Sequence, residues 1–304
     1  MDQPHDGIHQ LLSAAPVSDL VGSLLERCLF PPKGSAVLCA VSGGADSLAL
    51  MVLAVAAGLE VTAVHVDHGL RPDSGDDTAV VAAAAEAHGA AFRAEKVEVA
   101  PGGDLEARAR AARWAALGPE ALTGHTADDQ AETLLINLLR GAGLDGLAAM
   151  EPGGRHPLLG IRRADTVALC RAVGLTPVED PSNRDPRFVR NRVRHELLPL
   201  MAQISDRDVV PLLTRTADIA RSASEELEQA AAPIDPTNVA ELNQVSPALA
   251  SIALRRWLTT PDGYAPSVAE IERVLAVAKG DVAGCQLSRG RSIRRTAGVL
   301  RVEG

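Results

Sequence analysis

The chain has 304 residues, of which 46% are hydrophobic, enough to fill one large core or two ordinary ones. Its formal net charge of −9 argues against a protein that binds nucleic acid over its whole surface, and an aromatic content of 2% limits base stacking. Composition therefore leaves local basic patches as the means of binding an anionic partner.

The N-terminal residues MDQPHDGIHQ are acidic where a signal peptide is basic, and the longest apolar stretch, residues 48–59, is too short to span a bilayer. We therefore expect a cytoplasmic protein. The cysteines are far apart and form no CxxC pair, which argues against an iron–sulfur cluster, a structural zinc site or a disulfide framework. We interpret them as ordinary small buried side chains: Cys28, Cys39, Cys170 and Cys285.

Strands and helices alternate in the first part of the chain. The hydrophobic pattern predicts strands at residues 37–41, 61–66, 92–99 and 120–123. Between and after them it predicts helices at residues 46–57, 74–88, 104–117 and 127–140. This alternation is typical of an α/β fold with a doubly wound parallel sheet, joined by right-handed crossovers.

The pattern becomes helical beyond residue 160. RRADTVALCRAVG reads as a helix closed by Gly174, VEDPSNRDP as a turn, and RNRVRHELLPLM as another helix. Strand signals disappear after residue 205, and further helices are predicted at residues 209–232, 238–259 and 267–278, followed by a hairpin. We therefore predict a domain boundary near residue 205, between an α/β domain, residues 1–205, and a smaller, mainly α-helical domain, residues 206–304.

The stretch SGGADS follows the first predicted strand and opens a helix. Two glycines permit a tight turn whose amides face outward, and the helix N-terminus favours an anion. This geometry suits a phosphate, although the Walker lysine and a GxGxxG motif are both missing. The structural alternative is a helix capped by Asp46 or Ser47.

SGGxDS after a first strand resembles the signature of the PP-loop ATP pyrophosphatases, which cleave ATP between the α- and β-phosphates. Three further stretches resemble the signatures of the tRNA(Ile)-lysidine synthetase family: HVDHGLRPDS (residues 65–74), LTGHTADDQAETLLINLLRGAGLDGLAAM (122–150) and DPSNRDPRFVRNRVRHELLP (180–199). Together they extend the resemblance over roughly residues 35–200. On this basis the chain is identified as a member of that family. The resemblance implies that residues 1–205 are the PP-loop ATP-binding catalytic domain, and we expect the helical domain, residues 206–304, to contact tRNA.

Acidic residues follow the second and fourth predicted strands, where open α/β sheets bind ligands. Asp128, Asp129 and Glu132 are spaced so that a short helix can direct several carboxylates at magnesium or at a lysine ammonium. Thr126 with Asp129 also fits a capping box, which is a structural role. At the second strand we prefer Asp67 for the nucleotide site and a hydrogen bond within the fold for His65.

Basic residues concentrate in two stretches, residues 184–194 and 289–304, each with five arginines against one acidic residue. Arg187, Arg190 and Arg194 fall on one face of a helix that starts early, with Arg192 elsewhere. Arginine suits contacts to phosphate and carboxylate. The alternative for both stretches is a solvated surface.

The resemblance implies an enzyme that uses ATP and Mg²⁺ to adenylate the 2-oxygen of the wobble cytidine in an isoleucine tRNA with a CAU anticodon. The ε-amine of free L-lysine then displaces AMP and gives lysidine. The implied partners are this tRNA and free lysine. We expect no membrane association, and a homodimer is a further hypothesis. Because the chain ends at residue 304, we expect one C-terminal appendage and fewer tRNA contacts than longer members make.

The residues and the resemblance together give candidate roles. The catalytic candidates are Asp46, Asp128, Asp129 and Glu132. The ATP-binding candidates are Ser42, Gly43, Gly44, Ala45, Asp46, Ser47 and Asp67, of which Asp46 is also the candidate magnesium ligand. The lysine-binding candidates are Asp128, Glu132 and Arg192, and the tRNA-binding candidates are Arg190, Arg194, Arg294 and Arg295.

Two other functions compete with this prediction. The first is another PP-loop enzyme acting on tRNA, a thiolase or an amide ligase, and the unpaired cysteines argue against a thiolase. The second is a nucleotide-binding module that does not catalyse, and the intact carboxylates argue against it. Release of pyrophosphate in the presence of tRNA would separate an enzyme from such a module.

Overall fold

The computed structural model describes residues 15–67, 74–97, 105–178 and 181–303, which form two compact units. The first unit ends at Asp218 and the second begins at Ile219, inside one long helix. The boundary predicted after residue 205 lies before this point, and the separate roles of residues 1–205 and 206–304 remain predictions. His68 and Asp180, which belong to two of the predicted motifs, lie outside the described residues.

Parallel strands alternate with helices at the start of the first unit, as the sequence predicts. The elements are α1 (Ala15–Leu25), β1 (Ala36–Ala40), α2 (Ala45–Ala56), β2 (Glu60–Asp67), α3 (Ser74–Ala87), β3 (Ala91–Lys96) and α4 (Leu105–Leu117). Strand β2 lies between β1 and β3, and both pairs are parallel. The α/β fold class is therefore confirmed.

The predicted fourth strand, residues 120–123, is present as a single parallel bridge between Leu122 and Cys39. The Leu122 N–H donates to the Leu38 carbonyl at 2.8 Å, and its carbonyl accepts from Ala40 at 2.9 Å. The next N–H, of Thr123, donates instead to the Arg155 carbonyl. The chain therefore leaves the sheet directly beside the carboxyl end of β1.

Helix α2 is buried along most of its length, with every residue from 47 to 54 buried. A helix that is apolar on all sides belongs inside a core. It packs in one cluster with Cys39 of β1 and with Ile161 and Leu169 from later in the chain. This packing fixes the first turn of α2 at the carboxyl end of the sheet.

The rest of the first unit is helical. Its elements are α5 (Ala127–Leu139), α6 (Leu144–Leu147), α7 (Arg163–Ala172), a 3₁₀ turn (Pro181–Arg184), α8 (Val189–Arg192), a π-helical turn (Val193–Leu197) and α9 (Leu198–Ser205). The sequence predicts one regular helix where α8, the π turn and α9 follow one another. Pro199 explains the irregularity, because it has no N–H to donate to the preceding turn.

A long helix leads into the second unit, which ends in a small antiparallel sheet. The elements are α10 (Val210–Ala231), α11 (Val239–Gln244), α12 (Pro247–Leu258), α13 (Val268–Lys279), β4 (Gly284–Gln286), a 3₁₀ turn (Ser288–Gly290), β5 (Ser292–Thr296) and β6 (Val299–Glu303). The single helix predicted at residues 238–259 is wrong, because Ser246 caps a new helix that begins with Pro247. The predicted hairpin is a three-stranded sheet in the order β4-β5-β6.

All four cysteine thiols have a raised pKa, although only two of them are fully buried. Cys39 and Cys170 are buried, whereas Cys28 and Cys285 are partly exposed. Burial raises the thiol pKa to about 12 for Cys28 and Cys39 and to about 11 for Cys170, and it also raises the pKa of Cys285. Across the described residues, no three Cys, His, Asp or Glu side chains gather to hold a metal, and no helix is long and apolar enough to cross a bilayer.

Candidate active site

The loop between β1 and α2 turns sharply at Gly43. Gly43 has φ +90°, in the left-handed region that favours glycine. An added Cβ would also lie 3.2 Å from the Val178 side chain. The backbone N–H of Val178 donates to the Gly43 carbonyl at 2.9 Å, which holds the two residues together. Both the backbone conformation and this neighbour therefore require glycine here.

Ser42 and Ser47 hold the two ends of the loop together. The Ser42 N–H donates to the Ser47 hydroxyl at 3.1 Å, and that hydroxyl donates to the Gly44 carbonyl at 2.9 Å. Gly44 is the N-cap residue of α2, and it has no side chain to make a cap. The alternative in which Asp46 or Ser47 caps the helix is therefore wrong, and the open helix N-terminus suits an anion.

Gly124 brings the start of α5 against this loop. A Cβ at Gly124 would lie 2.5 Å from the Asp46 carbonyl oxygen and 2.9 Å from the Ser47 nitrogen. These are backbone atoms of a buried helix, which cannot easily move away. The absence of a side chain at Gly124 therefore sets how closely the two helix starts approach.

Asp46 reaches from α2 to the start of α7. Its Oδ1 accepts from the Thr166 hydroxyl at 2.5 Å, and its Oδ2 accepts from Arg163 Nε at 3.1 Å. Burial raises the pKa of the Asp46 carboxyl, although the Arg163 charge and the Thr166 hydrogen bond act in the opposite direction.

Arg163, the first residue of α7, connects Asp46 to the acidic residues of α5. Its Nη2 lies 2.8 Å from Asp129 Oδ1, and its Nη1 lies 3.1 Å from Glu132 Oε1. One guanidinium therefore binds three carboxylates that come from two helices. The pKa of Arg163 is raised by these carboxylates against the opposing effect of burial, which keeps the guanidinium charged.

Glu132 has no exposed side-chain surface and also receives two arginines from the region of α8. Arg194 Nε lies 2.6 Å from Glu132 Oε1, and Arg190 Nε lies 3.6 Å from Glu132 Oε2. Arg190 and Arg194 share a helical face, as the sequence predicts, whereas Arg187 lies before the helix and pairs with Asp185. We call this group of side chains the carboxylate cluster: Asp46, Asp129, Glu132, Arg163, Arg190 and Arg194.

Asp129 is both a helix cap and a member of the carboxylate cluster. Its Oδ2 accepts from the N–H and the hydroxyl of Thr126 at 2.9 and 3.0 Å, so the predicted capping box is confirmed. Its Oδ1 faces Arg163 and Arg194. Burial disfavours the charged form, but Arg163, His125 and the Thr126 N–H outweigh it and lower the pKa of Asp129.

Asp128 points away from the carboxylate cluster. Arg162 donates to its two oxygens at 3.0 Å each, and the backbone N–H of Arg163 donates to Oδ2 at 2.8 Å. These hydrogen bonds lower the pKa of Asp128 despite its burial. The structure therefore does not bring Asp128 and Glu132 together on one cation.

Arg192 is also outside the cluster. Its guanidinium pairs with Glu196 at 3.1 Å, and its side chain is 62% exposed. Arg192 and Glu196 line an open groove of about 490 Å³ with Arg184, Pro186, Asn191 and His195. The position expected of Arg192, beside Glu132, is held by Arg194.

The remaining candidates lie at two other places. His65 of β2 hydrogen-bonds the Val41 carbonyl through Nδ1 at 2.9 Å, so its predicted role within the fold is confirmed. Asp67 ends β2 at the carboxyl edge of the sheet. In the second unit, Arg294 is 68% exposed and pairs with Glu303, whereas Arg295 donates to the Ala278 carbonyl.

Sequence reasoning missed Arg162, Arg163 and Thr166. Two adjacent arginines at the start of a helix are typical of a solvated surface. Here they neutralise the carboxylates of α5, which need positive partners because they are buried or partly buried. It also missed a polar group in which the Thr123 hydroxyl lies 2.7 Å from His125 Nδ1 and 2.8 Å from His156 Nδ1. Burial, followed by the Arg155 charge, lowers the pKa of His156.

Comparison with known proteins adds to this geometry. Residues 19–201 match the model of the PP-loop domain family. The chain is similar to the tRNA(Ile)-lysidine synthase of Nocardia farcinica, with 42% identity over 81% of this chain and 83% of that protein. The one from Mycolicibacterium paratuberculosis is 49% identical over 62% of this chain and 61% of its own length.

A solved structure supports the fold. It is the U34-tRNA thiolase NcsA from Methanococcus maripaludis with its [4Fe-4S] cluster, which aligns with a TM-score of 0.54 at 16% identity. The alignment covers 68% of this chain and 80% of that one. At this level of identity the likeness concerns the arrangement of strands and helices.

Proposed function

The chain belongs to the PP-loop domain family and, within it, to the tRNA(Ile)-lysidine synthases, and from that membership we propose that it joins L-lysine to the wobble cytidine of an isoleucine tRNA. The reaction makes a bond between lysine Nε and carbon 2 of the cytidine in a CAU anticodon. ATP is converted to AMP and pyrophosphate. The observation that carries the proposal is the link, through Arg163, between the loop Ser42–Ser47 and the carboxylates of α5.

The loop supplies the nucleotide site. The open N-terminus of α2 and the turn at Gly43 offer backbone N–H groups to phosphate oxygens. Adenylation of the cytidine oxygen is needed first, because that oxygen is a poor leaving group until AMP is attached. The guanidinium of Arg163, adjacent to Asp46, is positioned to stabilise the charge that develops as pyrophosphate leaves.

The carboxylates of α5 supply the lysine site. Asp129 keeps its negative charge because its pKa is lowered, so it is suited to hold an ammonium group. Glu132 lies beside it within reach of the same guanidinium. We assign lysine binding to Asp129 and Glu132. Asp128 does not contact lysine in this assignment but orients Arg162 and the start of α7.

Magnesium fits Asp46. Each Asp46 oxygen accepts one hydrogen bond and keeps a further lone pair, and magnesium at nucleotide sites commonly uses one or two carboxylates with substrate phosphates. When bound, the ion would offset negative charge on the leaving pyrophosphate. Asp67, at the same edge of the sheet, is the second acidic residue proposed for the nucleotide site.

The tRNA contacts are proposed for two partly buried arginines of the carboxylate cluster and for one exposed arginine of the second unit. Arg190 and Arg194 are engaged with Glu132, so they are proposed to act where the anticodon meets the carboxylate cluster. Arg294, which is exposed on the surface of the second unit and pairs with Glu303, is proposed to contact a tRNA phosphate. A tRNA-modifying enzyme of this kind would act in the cytoplasm, and assembly as a homodimer remains a hypothesis.

The test is direct. The protein is incubated with ATP, magnesium, labelled lysine and a CAU-anticodon isoleucine tRNA transcript, and label in the tRNA is measured beside pyrophosphate. We expect incorporation that disappears when the wobble cytidine is replaced by uridine. Pyrophosphate release without lysine incorporation would favour another PP-loop reaction on tRNA, and the absence of both would favour a non-catalytic nucleotide-binding module.

A further inference from the structure

Charge is balanced inside the carboxylate cluster. Three carboxylates, those of Asp46, Asp129 and Glu132, face three guanidinium groups. An added lysine ammonium would give the cluster an uncompensated positive charge in a site where Glu132 is fully buried. Such a charge is costly away from water. A lysine site on these carboxylates therefore needs one guanidinium to be neutralised by something else.

Two arginines contact both Asp129 and Glu132, and Arg163 is better placed than Arg194 to change partners. Arg194 binds Glu132 through both Nε and Nη2, at 2.6 and 3.0 Å, which is a bidentate contact. Arg163 instead gives one hydrogen bond to each of three carboxylates, and its side chain is 26% exposed. Its contact with Asp46 also places its guanidinium beside the first turn of α2, the helix that follows the phosphate loop.

We propose that Arg163 is a positioning residue that turns from Asp129 and Glu132 toward the phosphates of bound ATP, so that nucleotide binding exposes the carboxylates to the lysine ammonium. The inference rests on the proposed function, because it takes Asp129 and Glu132 as the lysine site. Binding of the tetra-anionic nucleotide supplies the negative charge that Arg163 loses. Once Arg163 has turned away, the three carboxylates face only two guanidinium groups, and the lysine ammonium neutralises the remaining negative charge.

Such an exchange makes the two small substrates bind cooperatively. A ligand that increases the affinity for a second ligand gains the same factor in return. Couplings of this kind are typically about 5- to 150-fold. Lysine should therefore bind poorly to the free enzyme and well to the nucleotide complex.

The experiment measures lysine affinity by equilibrium dialysis with radiolabelled lysine, with and without magnesium and α,β-methylene-ATP, which is not cleaved at the scissile position. For the wild type we expect at least about tenfold tighter lysine binding with the analogue. For Arg163→Met we expect the ratio to fall to about one, because the carboxylates are open at all times. Arg163→Lys, which keeps the charge without the fork, should recover part of the ratio.

The matched control is Arg171→Met, which removes an exposed arginine from the other end of α7 and should keep the wild-type ratio. Circular dichroism shows whether each variant is folded, and Arg163→Lys gives the answer if Arg163→Met is not. Equal wild-type affinity with and without the analogue, or a full ratio in both Arg163 variants, overturns the inference. Wild-type lysine incorporation into tRNA, run alongside, tells this failure from a failure of the proposed function.

Discussion

Two helices in this molecule begin with the same arrangement and use it differently. At α5, Thr126 and Asp129 form a capping box, and at α13, Ser267 and Glu270 form another. Both acidic residues are buried, with 6% exposure at Asp129 and 3% at Glu270. In each, one carboxylate oxygen closes the cap, so the difference lies in the partner of the other oxygen.

The second oxygen of Glu270 accepts from the backbone N–H of Ser288 at 2.7 Å. That donor belongs to the fold of the second unit and is not available to a ligand. The second oxygen of Asp129 faces the side chains of Arg163 and Arg194, and Arg163 is the one proposed above to change partners. A capping carboxylate can thus become part of a site when its remaining oxygen is satisfied by charged side chains, and it stays structural when a backbone group satisfies it.

The sharpest way to break this comparison is to neutralise both carboxylates. Asp129→Asn should lower lysine incorporation at least about a hundredfold, because charge-assisted contacts to the substrate are lost. Glu270→Gln should leave incorporation near the wild-type level at 25 °C. Incorporation is measured with the same tRNA transcript, and equal losses in the two variants would show that the caps do not differ in kind.

Glu132→Gln sharpens the comparison inside the site. If Glu132 holds lysine, lysine transfer should fall by a factor of about ten or more beyond the fall in cytidine adenylation, since adenylation does not involve lysine. The two half-reactions are followed by pyrophosphate release and by label in the tRNA. A proportionate loss in both would assign Glu132 to the nucleotide or its metal instead.

The sequence could predict the parallel sheet, the phosphate loop and the capping box, because each depends on local pattern. It could not predict Arg163, because the partners of Arg163 lie on α2 and α5, 117 and up to 34 residues away along the chain. For the same reason the spacing groups Asp128 with Glu132. In the structure the Asp128 side chain binds Arg162, whereas Glu132 binds other arginines. Local spacing shows which residues share a helix face, whereas long-range ion pairs decide which of them meet.

Gly124→Ala tests the contact that joins α5 to the phosphate loop. The new Cβ would collide with the Asp46 carbonyl, and overpacking of this kind costs about 1–3 kcal/mol. We expect slower pyrophosphate release by about tenfold as well as lower stability. Gly143→Ala is the control, since nothing lies within 4 Å of its added Cβ. Unchanged turnover in Gly124→Ala would mean that the loop tolerates the displacement.

The structural cap also predicts a pH dependence. The N–H groups of Ser288 and Ser267 lower the pKa of Glu270 from 4.5 to about 2. The ionised carboxylate therefore contributes stability above pH 4.5, and this contribution is lost as the pH falls toward 2. On going from pH 6 to pH 3, the wild type should lose about 2–4 °C more in Tm than Glu270→Gln does. An equal loss of Tm in the wild type and in Glu270→Gln would contradict the stabilising role of the ionised Glu270.

The smallest effect concerns the arginines of β5. Arg294→Ala should reduce the slope of log tRNA affinity against log salt by about one, because one phosphate contact is lost. Arg295→Ala should leave the slope unchanged, because that guanidinium donates to the Ala278 carbonyl at the end of α13. Filter binding at about 50 to 200 mM salt, the range in which phosphate contacts change tRNA affinity, distinguishes the two variants. An unchanged slope in Arg294→Ala would remove β5 from the tRNA surface.

The raised pKa values of all four thiols have a practical consequence. A thiol reacts with alkylating reagents through its thiolate, and a raised pKa lowers the thiolate fraction of each of these cysteines at neutral pH. The native cysteines should therefore react only slowly with maleimide dyes. Val167, one turn beyond Arg163 on α7, is 51% exposed, and Val167→Cys would place a single fluorescent reporter there. Such a reporter could follow in real time, by stopped flow, how fast the start of α7 responds when nucleotide is mixed with the enzyme.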